Sequence, residues 1–217
     1  MEIGMSKKFK LGVIGNPIEH SLSPFIHSRF SRNENINVEY LPYKVDESDF
    51  DLFIKEFFSD KDSKGLNVTL PYKKKAAEIE AAISREAKYI NAVNTIVSDD
   101  KKIFLYSTDG IGFINDMEKK NFTLKEKNIL IIGAGAAAES VLYRLAKSKT
   151  KYITILNRTE ERADRLMRKF SNITPINTEL NSESPYDLVI NGSSAGLTGE
   201  FRPIKDILIN ECTHFYD

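Results

Sequence analysis

The chain has 217 residues, room for two small lobes, and at this size about 70% of the unfolded surface can be buried. Its 31 basic and 31 acidic residues cancel, so it lacks the global field that draws nucleic acid or an anionic membrane, and any anion site must be local. The one cysteine, Cys212, excludes an internal disulfide, and no apolar run reaches the ~18 residues of a membrane span. With no signal pattern, the expectation is a soluble cytoplasmic protein that binds neither membrane nor nucleic acid. Met5 is an alternative start, because residues 1–4 (MEIG) carry no periodicity.

Residues 10–15 (KLGVIG) form an apolar run closed by glycine and predict a strand. Ser23 and Pro24 open a helical pattern through Phe25, Ile26 and Phe30, with Ser23 as the cap. Residues 38–45 predict a second strand. Residues 46–58 predict an amphipathic helix with Phe50, Phe53, Ile54, Phe57 and Phe58 inward. Residues 65–70 (GLNVTL) predict a third strand ended by Pro71, and 73–84 a helix that can pack Ala76, Ala77, Ile79, Ala81 and Ile83. Residues 92–97 and 102–107 predict a hairpin across a polar turn, which would make this sheet mixed. A helix over 108–117 leads into the second half. There strands at 129–132, 152–156, 174–176, 187–190 and 213–217 alternate with helices at 136–148 and 160–170, the pattern of a parallel sheet. The fold class is therefore α/β.

Residues 128–138 read NILIIGAGAAA, an apolar strand entering a GxGxxA turn and then a helix. Gly133 permits the tight turn, Gly135 lets a pyrophosphate approach the backbone, and Ala138 is small enough for the helix to lie on the strand. The phosphates would then meet the helix N-terminus with its free N–H groups. The next strand ends in Asn157, Arg158 and Thr159, with Arg162 a turn later. No acid stands there to accept from a ribose 2′-OH, and a guanidinium suits phosphate oxygens, so the cofactor reads as NADP(H) rather than NAD.

Polar clusters interrupt the strands of the first half at their C-terminal ends, where open α/β sheets bind ligands. Ser21 and Ser23 lie in NPIEHSLSP, Asn67 and Thr69 share one face of a strand, and Asn94-Thr95 repeats the theme. These neutral groups suit a polyol and a carboxylate. Ser23 alone also reads as only a helix cap, and Asn94 alone as only a turn residue. Lys73 and Asp109 are the candidates for proton transfer, although Lys73-Lys74-Lys75 also reads as a solvated helix start. His20 and His27 have no carboxylate cluster nearby and read as structural, no metal is expected, and Cys212 reads as a buried small hydrophobe.

NPIEHSLSPFIH, GLNVTLPYK, NAVNT, STDGIGF, GAGAAAES, NRTEERA and NGSSAGL occur in the order and spacing of shikimate dehydrogenase, and the chain resembles that family from about residue 9 onward. The resemblance implies an N-terminal mixed-sheet substrate-binding and catalytic domain, 1–112, and a C-terminal Rossmann-like NADP-binding domain, 113–217. It implies the reversible NADPH-dependent reduction of 3-dehydroshikimate to shikimate, in aromatic amino acid biosynthesis. Ser21 and Ser23 would bind the carboxylate, and Asn67, Thr69, Asn94 and Asp109 the ring hydroxyls. Lys73 would be the acid or base and Asp109 its orienting partner. Gly133, Gly135, Ala136, Ala137 and Ala138 would form the diphosphate loop. Asn157, Arg158, Thr159 and Arg162 would hold the 2′-phosphate, and Asn191 and Ser193 would lie below the nicotinamide. The implied partner is a small molecule, and the implied assembly a monomer or homodimer.

Ala136 stands where glycine is common in the family, Ser107 where asparagine is usual and Ser193 where threonine is usual. The family also continues past the position of Asp217 into helices that contact substrate and nicotinamide. The expectation is that this chain keeps both lobes but turns over poorly. Three alternatives remain: an NAD-linked quinate/shikimate dehydrogenase, opposed by Arg158; a glutamyl-tRNA-reductase-like chain, opposed by the lack of an N-terminal cysteine; and a non-catalytic binding remnant.

Overall fold

The computed structural model describes residues 8–193, 204 and 206–217. The readings placed on residues 1–4 and on 194–197 of the NGSSAGL motif lie outside them. The chain divides into two compact units, Met1–Ser107 and Thr108–Asp217.

In the first unit β1 (Phe9–Gly15), β2 (Val38–Lys44) and β3 (Ser63–Val68) are parallel, with β1 in the middle. β5 (Thr95–Asp99) runs antiparallel to β3 and pairs with β6 (Lys102–Tyr106), and the two-residue β4 (Ala82–Ile83) closes the far edge. The order is β2-β1-β3-β5-β6-β4, so the sheet is mixed, as the hairpin implies. Asp100 and Lys101 both have positive φ, 43° and 64°, the geometry a tight two-residue hairpin turn requires. Ile14, Leu66 and Val68 face a core completed by Phe50 and Ile54 of α2 (Phe50–Ser59). Val13 and Tyr40 point to the opposite face, on the side of α1 (Ser23–Asn33).

Three expectations change in the first unit, and one helix is added. Leu22, not Ser23, occupies the cap position of α1, and Ser23 is the first helical residue. The helix predicted from residue 46 begins as a 3-10 turn, Glu47–Asp49. Residues 73–84 are not one helix: a 3-10 turn at Lys75–Glu78 gives way to β4, because Ala82 and Ile83 pair with Phe104 and Leu105 of β6. Ser84 then starts the unpredicted α3 (Arg85–Ile90), its hydroxyl accepting from the Ala87 amide, and Asn91 ends it in the left-handed conformation.

In the second unit β7 (Asn128–Ile132), β8 (Tyr152–Leu156), β9 (Ile176–Asn177), β10 (Leu188–Asn191) and β11 (His214–Tyr216) form an all-parallel sheet in the order β11-β10-β7-β8-β9. Such strands are covered on both faces, which explains the unbroken apolar runs. Ile129, Ile131, Ile153, Ile155, Leu188 and Ile190 face one core with α4 (Asp109–Lys119), α5 (Ala136–Leu145) and α6 (Glu160–Phe170). Leu130 and Val189 face a second core around Tyr186. Each fully buried Ile or Leu contributes about 1.5–3 kcal/mol relative to exposure. Cys212 is exposed, a correction: its amide donates to Asn210 Oδ1 (2.9 Å) in a surface turn before β11.

Candidate functional site

In the first unit three distant segments meet at one end of the central strands β1, β3 and β5. Because β5 runs against β3, its N-terminal end lies beside the C-terminal end of β3, and Asn67 pairs with Thr95. The crossing is sealed by backbone bonds from Val68 to the Asn94 carbonyl (2.8 Å), from Thr69 to that of Ile14 (3.0 Å) and from Val93 to that of Lys73 (2.7 Å). Gly15 permits the close approach, since a Cβ there would lie 2.5 Å from Thr69 Cγ2 and 2.9 Å from the Leu70 carbonyl oxygen. The ends of β1 and β3, with the turns that follow them, thus carry Asn16, Asn67, Thr69 and Lys73 on a rigid frame.

The polar side chains there are linked. The Tyr40 hydroxyl donates to Asn67 Oδ1 at 2.8 Å, and Thr95 Oγ1 donates to Asn94 Oδ1 at 3.0 Å. Asn67 Nδ2 lies 3.4 Å from Thr95 Oγ1 and 3.5 Å from the Asn94 carbonyl oxygen. Ser21 Oγ accepts from the Ser23 amide at 3.3 Å, and the Ser23 side chain hydrogen-bonds the Tyr40 phenol. Burial pushes that phenol up to about 12, with Ser23 opposing. The lysine run splits three ways. Lys74 is exposed, and Lys75 donates to the Glu47 carbonyl (2.7 Å) while lying 5.4 Å above the Phe50 ring. Lys73 is half-buried at the turn that follows β3. It is not part of a helix start.

In the second unit Asp109 is the first residue of α4. Its neighbour Gly110 donates its amide to Ser140 Oγ (2.9 Å), and a Cβ on Gly110 would lie 2.2 Å from the Ser140 carbonyl oxygen. This close crossing of α4 and α5 fixes Asp109 relative to the glycine turn. Gly133 has φ of 112° and faces Gly192 and Ser193, and Gly192 in turn faces Ala138. Gly135 precedes α5 with open space where a Cβ would be, and among the described residues no side chain caps the N–H groups of Ala136, Ala137 and Ala138. A phosphate fits such an opening. Asn157 Oδ1 accepts from the Ala134 amide (3.1 Å) and its Nδ2 donates to the Thr159 carbonyl (2.8 Å), so it ties the glycine turn to the end of β8. Arg158 and Arg162 are exposed beside it, Arg162 in the first turn of α6. Past β10, Asn191 Oδ1 accepts from both the amide (3.1 Å) and the hydroxyl (2.7 Å) of Ser193. The residues present therefore fit a dinucleotide carrying an extra phosphate.

Residues 13–96 match the family model described as shikimate dehydrogenase substrate binding domain, and residues 116–197 that described as shikimate / quinate 5-dehydrogenase. A curated shikimate dehydrogenase (NADP(+)) of Nitrosopumilus maritimus is 37% identical over 98% of this chain and 79% of its own length. The chain belongs to the shikimate dehydrogenase family. The enzyme of that name from Hydrogenovibrio crunogenus is 36% identical, over 94% of this chain and 76% of the relative. Among solved structures, shikimate dehydrogenase from Aquifex aeolicus superposes with a TM-score of 0.80 at 32% identity, covering 92% of this chain and 74% of that one. Shikimate 5-dehydrogenase from Thermus thermophilus, in complex with NADP(H) and shikimate, gives 0.77 at 28% identity over 85% and 68%.

Within each unit the family motifs converge: Ser23, Asn67, Thr69, Lys73 and Asn94 in the first, Gly133 to Ala138, Asn157, Arg158 and Asn191 in the second. Tyr40 and Gly192 belong to these clusters with no local sequence signal that places them there. A hydroxyl in a strand reads as a β-former, and only the pairing of β2, β1 and β3 shows where it points. Among the described residues no group of three or more His, Cys, Asp or Glu is arranged to hold a metal, and no helix is long and apolar enough to cross a membrane.

Proposed function

We propose that this member of the shikimate dehydrogenase family catalyses the reversible NADP(H)-dependent interconversion of 3-dehydroshikimate and shikimate, on the route to chorismate and the aromatic amino acids. One observation carries the reading: neutral hydrogen-bonding side chains converge at the strand ends of one unit, and the other unit holds a phosphate-shaped turn followed by arginines.

When bound, the reduced nicotinamide supplies a hydride to the carbonyl carbon. The chain's own residues do the rest. Ser21 and Ser23 hydrogen-bond the substrate carboxylate, and Asn67, Thr69 and Asn94 hydrogen-bond ring oxygens. A pocket that presents these groups rejects analogues lacking the matching oxygens, because its own donors and acceptors would be left unpaired. Lys73 as ammonium gives its proton to the oxygen as negative charge develops there, and in the reverse direction the amine takes that proton back. Asp109, the first residue of α4, is the second proposed catalytic residue. Gly135 and the N–H groups of Ala136, Ala137 and Ala138 receive the diphosphate, with Gly133 shaping the turn. Arg158, supported by Asn157, Thr159 and Arg162, holds the 2′-phosphate, and Asn191 and Ser193 shape the floor under the nicotinamide. The setting is cytoplasmic, and the assembly a monomer or homodimer.

Shikimate-dependent reduction of NADP by the purified chain, followed by absorbance and paired with calorimetry of each ligand, tests the reading. Turnover with shikimate and NADP above that with quinate or NAD supports it. Absence of both turnover and binding overturns it.

A further inference from the structure

We propose that Tyr40 is a positioning residue that turns the Asn67 amide, so that its N–H group and not its carbonyl oxygen faces the substrate. The inference rests on the reading above for the ligand, and on the geometry of the first unit for the rest. Tyr40 sits on the edge strand β2, and its side chain crosses over β1 to place Oη 2.8 Å from Asn67 Oδ1. Its ring is buried and held in place: His27 stacks on it at 4.1 Å between centroids with planes 11° apart, and Val13 and Ile18 pack against it.

A phenol has one proton to give. The phenol gives that proton to Asn67 Oδ1, an acceptor, at 2.8 Å. The other side of Asn67 agrees. Its Nδ2 lies 3.5 Å from the Asn94 carbonyl oxygen, an acceptor only, and 3.4 Å from Thr95 Oγ1, whose proton goes to Asn94 Oδ1; at such length one N–H serves both neighbours and the second is left for the ligand. A flipped amide would set oxygen against oxygen at Asn94 and lose the Tyr40 bond. The bond from Tyr40 to Oδ1, with the acceptors beside Nδ2, therefore makes Asn67 a donor, and the ligand group opposite it must accept: a hydroxyl lone pair, a carbonyl or a carboxylate. The phenol, whose ordinary value already lies well above neutral pH and is raised further by burial, stays protonated throughout the neutral range.

The test is calorimetric titration of shikimate into the NADP-saturated chain, its Tyr40→Phe and Asn67→Ala variants, and the double variant. Tyr40→Phe should raise the shikimate Kd about fivefold to tenfold, the loss expected from one hydrogen bond. The Kd for NADP should not change. In the Asn67→Ala background the same substitution should add less than twofold, since Tyr40 then has nothing to orient. Additive effects, or no effect of Tyr40→Phe alone, overturn the inference while leaving the functional reading intact; a wild-type chain that does not bind shikimate overturns that reading and the inference with it. Asn67→Asp supplies an arm that does not depend on the tyrosine variant folding. A carboxylate accepts from Tyr40 equally well but has no N–H, so shikimate affinity should fall at least ~10-fold, consistent with a buried acceptor losing its donor. Retained affinity in Asn67→Asp overturns the donor assignment.

Discussion

A methyl group on Gly133 would lie 2.8 Å from the carbonyl carbon of Gly192, so the first glycine of the nucleotide turn is fixed by the fold as well as by the ligand. Its φ of 112° adds a backbone cost of about 1–3 kcal/mol for any side chain. Gly135 is the opposite case, with nothing within 4 Å of a Cβ. Gly133→Ala should therefore lower the melting temperature, and Gly135→Ala should leave it unchanged while weakening NADP. Thermal melts with NADP titrations separate the two. A Gly135→Ala variant that binds NADP normally would show that no pyrophosphate passes there.

Arg158 follows Asn157, a neutral amide tied to the Ala134 amide and the Thr159 carbonyl, so no carboxylate stands there to accept from a ribose 2′-OH or to repel a 2′-phosphate. Discrimination between NADP and NAD then falls to the guanidinium. Charge-assisted hydrogen bonds of about 1.5–3 kcal/mol correspond to roughly a tenfold to hundredfold preference. Arg158→Asp should remove that preference and shift it toward NAD, measured as the ratio of kcat/KM values. An unchanged ratio would mean the 2′-phosphate is read elsewhere.

The three consecutive lysines give a controlled comparison. Lys73→Met should reduce kcat by about 10²–10⁴, the usual contribution of a positioned proton donor, with NADP affinity kept. Lys74→Ala should be silent, since the side chain is exposed. Lys75→Ala should cost about 0.5–1.5 kcal/mol of stability through its bond to the Glu47 carbonyl, with little change in rate. Comparable kcat in the Lys73 and Lys74 variants would remove Lys73 from the chemistry.

The second unit was readable from sequence because parallel strands buried on both faces need unbroken apolar runs, and NILII and YITIL supply them between glycine and polar stops. Residues 73–84 misled for the converse reason. Ala76 packs in a 3-10 turn while Ile83 pairs with Leu105 of a strand still to come, so one segment holds apolar residues with two unrelated partners. Local signals for α3 were present in Ser84 and Asn91 but were outweighed by the apparent helical period. The turn signal of Asn210 similarly overrides the usual burial of a cysteine at Cys212. Tyr40 was beyond reach because its partner Asn67 is 27 positions away, and only strand order joins them.

Asp187 ties the entries of β10 and β7 together, its Oδ2 accepting from the Asn128 amide (2.8 Å) and its Oδ1 from Lys127 Nζ (2.8 Å). Burial pushes this carboxyl up, but Lys127 and the Asn128 amide outweigh it, so it sits below its ordinary value of 3.8. A folded-state value below the unfolded one means that the stabilisation is fully present above the ordinary carboxylate range and is lost as pH falls through the folded value. Asp187→Asn should therefore melt below wild type near neutral pH, and the gap should close as both are acidified below 3.8. Because the other carboxylates titrate alike in both proteins, the difference isolates this one. A gap of constant size from neutral to acid pH would show that Asp187 acts through shape or neutral hydrogen bonds, with its charge contributing nothing.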